Sequence, residues 1–128
     1  MKSSWIKPVF IIAALYDFVL GVFFLVMWKR VYAHFHVTLP NHDGYVQFAA
    51  MLVAIFGVGF WCVAKDPARN RDIITMGVLL KVAYCTVVLG HHFFGSIPNV
   101  WVPFAWCDLV FLVVFVMALR ALPSRKME

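Results

Sequence analysis

Residues 9–28 have the sequence VFIIAALYDFVLGVFFLVMW, in which Asp17 is the only charged side chain. A helix needs about twenty apolar residues to cross the roughly 30 Å hydrocarbon core of a bilayer, so this stretch predicts a membrane span. Three similar runs occupy residues 45–64, 73–92 and 101–122. A transmembrane β-strand would alternate apolar and polar residues, whereas residues 110–117 read VFLVVFVM without alternation. Helices are therefore predicted for all four runs.

The composition places the whole chain in the membrane class. Hydrophobic residues make up 64% of it and charged residues 13%, whereas a soluble domain is about half apolar and a quarter charged. The four runs use most of the sequence, and the segments between them are short. We therefore predict an all-α integral membrane four-helix bundle with up-down topology, formed by residues 1–128 as a single four-span domain.

The basic residues predict the orientation of this bundle. Cytoplasmic flanks of membrane helices carry an excess of lysine and arginine. Lys29 and Arg30 flank one side of the predicted spans. Both termini are expected to be cytoplasmic, and a nucleic-acid partner is not expected, because the basic residues are spread along membrane flanks. The basic residues on the cytoplasmic side are Lys2, Lys7, Lys65, Arg69, Arg71, Arg120, Arg125 and Lys126.

Three charged residues lie near the middle of predicted spans: Asp17, Lys81 and Asp108. At about 1.5 Å of rise per residue, all three come close to the bilayer midplane. Ionisable groups at this depth are costly and usually face the bundle interior, so we expect them to converge between the first, third and fourth helices. Two interpretations remain open. The cluster either fixes helix register, or its surplus acid exchanges a proton or binds a cation or ligand.

Polar and aromatic residues in or near the same spans are candidates for the lining of a pocket. If the protein binds a substrate or a lipophilic cofactor, these side chains would surround the buried charges, because ligand pockets combine apolar walls with a few polar groups. The candidates are Tyr16, Gln47, Tyr84, His92 and Trp106.

All five histidines map to the outer side of the predicted topology. Imidazole is the commonest metal ligand, so the group could hold Zn²⁺ or Cu²⁺. The alternative is that they are amphipathic residues of the membrane interface, which is where loops collect polar side chains. The metal-site candidates are His34, His36, His42, His91 and His92.

Several short stretches resemble the DoxX-like group of small four-helix bacterial membrane proteins. They are YD at residues 16–17, LGVFFL at 20–25, PNHDGYVQF at 40–48, DPARNR at 66–71 and PFAWCDL at 103–109. The resemblance spans nearly the whole chain and implies a bacterial inner-membrane protein, in some cases associated with redox systems or quinone-linked oxidoreductases. It implies no catalytic residues.

The sequence favours a non-enzymatic role: a small accessory or partner-binding protein of the inner membrane that serves a redox system, acting with a protein partner or as a homo-oligomer. No catalytic motif is recognisable, and the three cysteines form no CxxC pair. One alternative is a proton-coupled or small-solute transporter that uses Asp17, Lys81 and Asp108. Another is a quinone- or lipophile-binding subunit of a membrane oxidoreductase.

Overall fold

The computed structural model describes residues 4–123 and consists of four long helices joined by short connections. They are α1 (Ile6–His34), α2 (Asp43–Lys65), α3 (Arg71–Phe94) and α4 (Val102–Ala121), with single 3₁₀ turns at Ala68–Asn70 and Asn99–Trp101. Each of the four is long and apolar enough to cross a membrane. The predicted all-α four-helix bundle is therefore confirmed.

The first helix is longer than predicted. It ends at His34, whereas the sequence pattern placed its end at Trp28 and began a loop at Lys29. Trp28 and Tyr32 pack edge to face on the last turns, which keeps this segment helical. Two residues after the end of the helix, His36 has a left-handed backbone conformation with a φ of 57°. The amide of Val37 then donates to the Tyr32 carbonyl at 2.8 Å. This is the usual geometry of a helix C-terminus.

The bundle has two ends, which differ in character. The terminal half holds the start of α1, the end of α2, the start of α3 and the end of α4. The distal half holds the α1–α2 and α3–α4 connections. Lys7, Lys65, Arg69, Arg71 and Arg120 lie in the terminal half. Lys2, Arg125 and Lys126, which contribute to the predicted basic flank, lie outside the described residues.

The helices associate as two antiparallel hairpins, α1 with α2 and α3 with α4. Between α1 and α2 the backbones are in direct contact. A Cβ atom on Gly21 would lie 2.5 Å from the Ala54 amide nitrogen, and one on Gly57 would lie 2.5 Å from the Phe18 nitrogen. Only glycine permits this approach, which is how small residues bring membrane helices together.

The terminal half has a closed core made of aromatic rings. Phe10 stacks on Phe115 with ring centroids 4.6 Å apart, and Phe60 lies 5.0 Å from Phe115 and 5.9 Å from Phe10. All three side chains are completely buried. Gly77 of α3 faces these rings, because a Cβ there would lie 2.6 Å from Cε1 of Phe60. In this layer the α1–α2 hairpin packs against the α3–α4 hairpin, on the terminal side of the buried charges.

Polar side chains of the α2–α3 connection close the helix ends of the terminal half. Asn70 donates through Nδ2 to the carbonyl oxygens of Cys62 and Asp66, at 3.0 and 2.9 Å. Arg71 donates through one guanidinium nitrogen to the carbonyls of Leu119 and Leu122, at 3.0 and 3.3 Å. Carbonyl groups at the ends of α2 and α4 thus gain side-chain donors, and the Cys62 carbonyl also accepts from the Asp66 amide at 3.2 Å.

Candidate functional site

The three charged residues of the spans meet at the centre of the bundle, as the sequence predicts. The Nζ atom of Lys81 on α3 lies 3.2 and 3.3 Å from the two carboxylate oxygens of Asp17 on α1. It lies 3.1 Å from Oδ1 of Asp108 on α4. One lysine therefore bridges two acids from two other helices, and all three residues are buried. The predicted convergence between the first, third and fourth helices is confirmed.

Aromatic rings surround the ammonium group of Lys81. Its nitrogen lies 5.3 Å from the ring centroid of Phe111 and 5.8 Å from those of Tyr16 and Phe60. The faces of such rings carry partial negative charge and attract a desolvated cation. Two acids and three rings thus surround one ammonium group, and the two acids share it as their partner.

A cavity of about 440 Å³ opens from this charge cluster into the distal half. All four helices contribute to its wall, and the α1–α2 connection adds Pro40. The volume falls within the range of small-molecule sites. The lining residues are Asp17, Leu20, Gly21, Phe24, Tyr32, Pro40, Tyr45, Val46, Ala49, Ala50, Val53, Leu80, Lys81, Tyr84, Trp101, Phe104 and Asp108.

An aromatic cluster forms one wall of the cavity. The ring of Phe24 on α1 lies 5.6 Å from that of Trp101 and 5.9 Å from that of Phe104, and Tyr32 lies 5.7 Å from Trp101. Tyr84 of α3 fixes this wall, because its hydroxyl donates to the Trp101 carbonyl at 2.9 Å. Tyr84 lines the cavity as the sequence analysis expected.

The other predicted lining residues do not line this cavity. Trp106 is 46% exposed, because it lies on α4 two residues before Asp108 and so faces away from it. Gln47 and His92 are exposed as well, Gln47 near the start of α2 and His92 in the last turn of α3. Tyr16 packs beside Phe111 behind the charge cluster, and within residues 4–123 its buried hydroxyl finds no partner.

The five histidines are not assembled into a metal site. Among the described residues no group of three or more His, Cys, Asp or Glu side chains is placed to hold a metal ion. The prediction of Zn²⁺ or Cu²⁺ binding at this set is corrected, because the histidines lie at separate helix ends. His36 ends α1 in left-handed geometry, and His42 caps α2 by accepting the Gly44 amide at 2.9 Å. His34 belongs to the end of α1, and His91 and His92 to the end of α3.

Sequence reasoning missed most of the cavity wall, yet a helical signal for it exists. Phe104 of α4 and Trp101 of the preceding 3₁₀ turn come four and seven residues before Asp108, and Leu20 and Phe24 follow Asp17 on α1 by three and seven residues. Residues at this spacing share one helix face. The residues that share a helix face with Asp17 or Asp108, on the side toward the distal connections, are therefore the ones that form this wall.

Comparison with known proteins leaves the site to be interpreted from its own geometry: no family model, curated protein or solved structure matches the chain. The fold and the site together define a class, that of a four-helix membrane protein with a cavity that has a charged floor.

Proposed function

We propose that the protein is an integral membrane binding protein for a small lipophilic molecule that has a polar end. One observation carries this proposal: the Asp17–Lys81–Asp108 cluster forms the floor of a cavity whose walls are mainly apolar and aromatic. Binding pockets for small molecules have this composition, with a few polar groups that orient an otherwise apolar ligand. The ligand would reach the floor with its polar end and fill the distal half with its apolar body.

The shape of the bundle favours binding over transport. A transporter must open its central site to both sides of the membrane, whereas here the terminal half is closed by Phe10, Phe60 and Phe115. The cavity extends only toward the distal half. An accessory role in a redox system is compatible with this geometry, because such a subunit would hold a lipophile, including a quinone, for a partner protein.

We also propose the bacterial inner membrane as the location, with the termini in the cytoplasm. The location is implied by the DoxX-like resemblance, and the orientation by the basic residues of the terminal half. The cavity would then open on the outer side. Cysteine labelling of position 42, in a variant without the native cysteines, tests the orientation. Labelling only from the cytoplasmic side would reverse it.

Co-purification tests the binding function. The protein is purified in mild detergent, and the compounds extracted from it are identified by mass spectrometry. Leu80→Trp fills the cavity from α3, whereas its neighbour Leu79 is 56% exposed on the outer surface, which makes Leu79→Trp a matched control. We expect one lipophilic compound to be retained by the wild type and the Leu79 variant and lost from the Leu80 variant. Equal retention by both variants would contradict the proposal.

A further inference from the structure

The charges at the cavity floor do not balance. Lys81 supplies one positive charge, and Asp17 and Asp108 supply two carboxylates. A second buried carboxylate is costly without a cation, so a cationic ligand competes with a proton for this acid and completes the charge balance. We infer that the ligand is a lipophilic monocation, an amine or quaternary ammonium compound with an apolar body. This inference rests on the proposed function and specifies its ligand class.

Asp108 is the acid that is free to receive a cation. Its side chain is 11% exposed, compared with 3% for Asp17, and it lines the cavity. Lys81 contacts both carboxylate oxygens of Asp17 but only Oδ1 of Asp108. No hydrogen bond within residues 4–123 goes to Oδ2 of Asp108. One acceptor therefore remains for a ligand at the floor.

Within residues 4–123, the side chains that line the floor offer a ligand no free hydrogen-bond donor, since the unpartnered Tyr16 hydroxyl lies behind the charge cluster and outside the cavity lining. A lysine ammonium group has three N–H bonds, and Lys81 directs its contacts to three carboxylate oxygens. The hydroxyl of Tyr84, which is the nearest tyrosine along the wall of α3, is already donated to the Trp101 carbonyl. A ligand whose polar end is an anion or a carbonyl would have to displace one of these bonds. A cation needs no such rearrangement.

The wall beside the floor suits the same ligand class. Phe104 precedes Asp108 by one helical turn, and its ring meets that of Phe24, which also contacts Trp101. Ring faces next to a carboxylate are the features that recognise quaternary ammonium groups, since the cation is attracted by both and needs few hydrogen bonds. The same rings contact the apolar body of the ligand.

Two probes of the same shape test this inference. Benzyltrimethylammonium and neopentylbenzene differ only in the central nitrogen or carbon, and thus in charge. Their affinities for the full-length protein in lipid nanodiscs are measured by equilibrium dialysis, with empty nanodiscs as the reference. We expect the cation to bind about 30-fold more tightly than the neutral isostere, the size of effect found for a desolvated charge pair.

Variants assign the effect to Asp108. Asp108→Asn should lower affinity for the cation to the level of the neutral probe, and Asp108→Glu should retain the preference. Asp43→Asn is the control, because Asp43 is an exposed acid that pairs with Lys29 at 3.3 Å away from the floor. It should leave both affinities unchanged. If Asp108→Asn does not fold, the comparison of the two probes on the wild type still decides the question.

The outcomes separate this inference from the proposed function. Equal affinity for both probes, lost in Leu80→Trp, would overturn the cationic ligand class and leave a cavity that binds lipophiles. A neutral or anionic compound extracted from the native protein would do the same. Absence of binding by either probe to the folded protein would overturn the inference, while the extraction experiment decides the binding function independently.

Discussion

The two halves of the bundle use aromatic residues in opposite ways. In the terminal half, Phe10, Phe60 and Phe115 fill the centre and are completely buried. In the distal half, Phe24 and Phe104 stand around a cavity of about 440 Å³. The same residue type therefore closes one half and lines the other. The closed half can hold the helices in place while the open half remains available to a ligand.

The buried charges lie where these two halves meet. Phe60 and Phe111 contact the Lys81 ammonium group from the packed side, and the cavity reaches its two acids from the other. A charge cluster in this position has a structural role whatever it binds, because it links α1, α3 and α4 beside the cavity. If the terminal half is packed and the distal half binds a ligand, the largest loss of stability is expected for changes in the charge cluster between them.

Lys81→Met should destabilise the protein most. It leaves Asp17 and Asp108 buried without a cation, and breaking such a pair costs about 3–5 kcal/mol. Asp17→Asn should cost less, since Lys81 keeps Asp108 as its partner. The measurement is the free energy of unfolding in mixed micelles titrated with denaturing detergent.

The control for this change is Lys29→Met in the distal half. Lys29 forms an exposed ion pair with Asp43, which is worth at most about 1 kcal/mol. Equal losses in the two lysine variants would show that the central cluster does not hold the helices together.

The variant Asp108→Asn distinguishes a binding site from a purely structural cluster. If the cluster is a binding site, the variant loses ligand binding but stays folded. If the cluster is purely structural, the variant loses stability and binding together.

A pair of glycines on α3 compares the two halves directly. A methyl group at Gly77 would lie 2.6 Å from Cε1 of Phe60, whose ring is confined by Phe10 and Phe115. Gly77→Ala should therefore cost about 1–3 kcal/mol through overpacking. At Gly90 the same methyl group meets nothing within 4 Å, so Gly90→Ala should be neutral or stabilise by up to about 1 kcal/mol. Thermal unfolding of both variants measures the difference. Similar melting temperatures would mean that the terminal half is not tightly packed.

The sequence predicts the features that stand out by their polarity, namely long apolar runs and charged residues inside those runs. The apolar runs reveal the helices, and Asp17, Lys81 and Asp108 reveal the interior face, because a charge in a span has few places to go except the bundle centre. The sequence does not distinguish residues that line the cavity from residues that face the lipid. Leu79 and Leu80 are adjacent and chemically identical, yet one faces outward and the other lines the cavity. In a membrane both environments are apolar, so hydrophobic periodicity carries little contrast.

Helix ends depend on local geometry that composition does not reveal. The end of α1 moves from the predicted Trp28 to His34, because the chain meets no glycine or proline there and Tyr32 packs against Trp101. The left-handed residue that stops it is a histidine, which gives a weaker signal than glycine would. The same histidine, His36, is one of the candidate metal ligands of the sequence, and in the structure it lies at the end of α1.

The smallest expected effect concerns how the terminal half ends its helices. Asn70→Ala removes the two hydrogen bonds that its side chain donates to the carbonyls of Cys62 and Asp66. The loss should be about 1 kcal/mol, since both hydrogen bonds are partly buried while the Cys62 carbonyl keeps the Asp66 amide as a donor. Asn99, exposed in the distal connection, is the control, and Asn99→Ala should change stability by less than about 0.5 kcal/mol. Hydrogen exchange of the last turn of α2 gives a local measurement, which should rise in Asn70→Ala alone. Unchanged exchange there would show that the α2–α3 connection holds its conformation without the asparagine, and that the terminal half owes its order to the aromatic core.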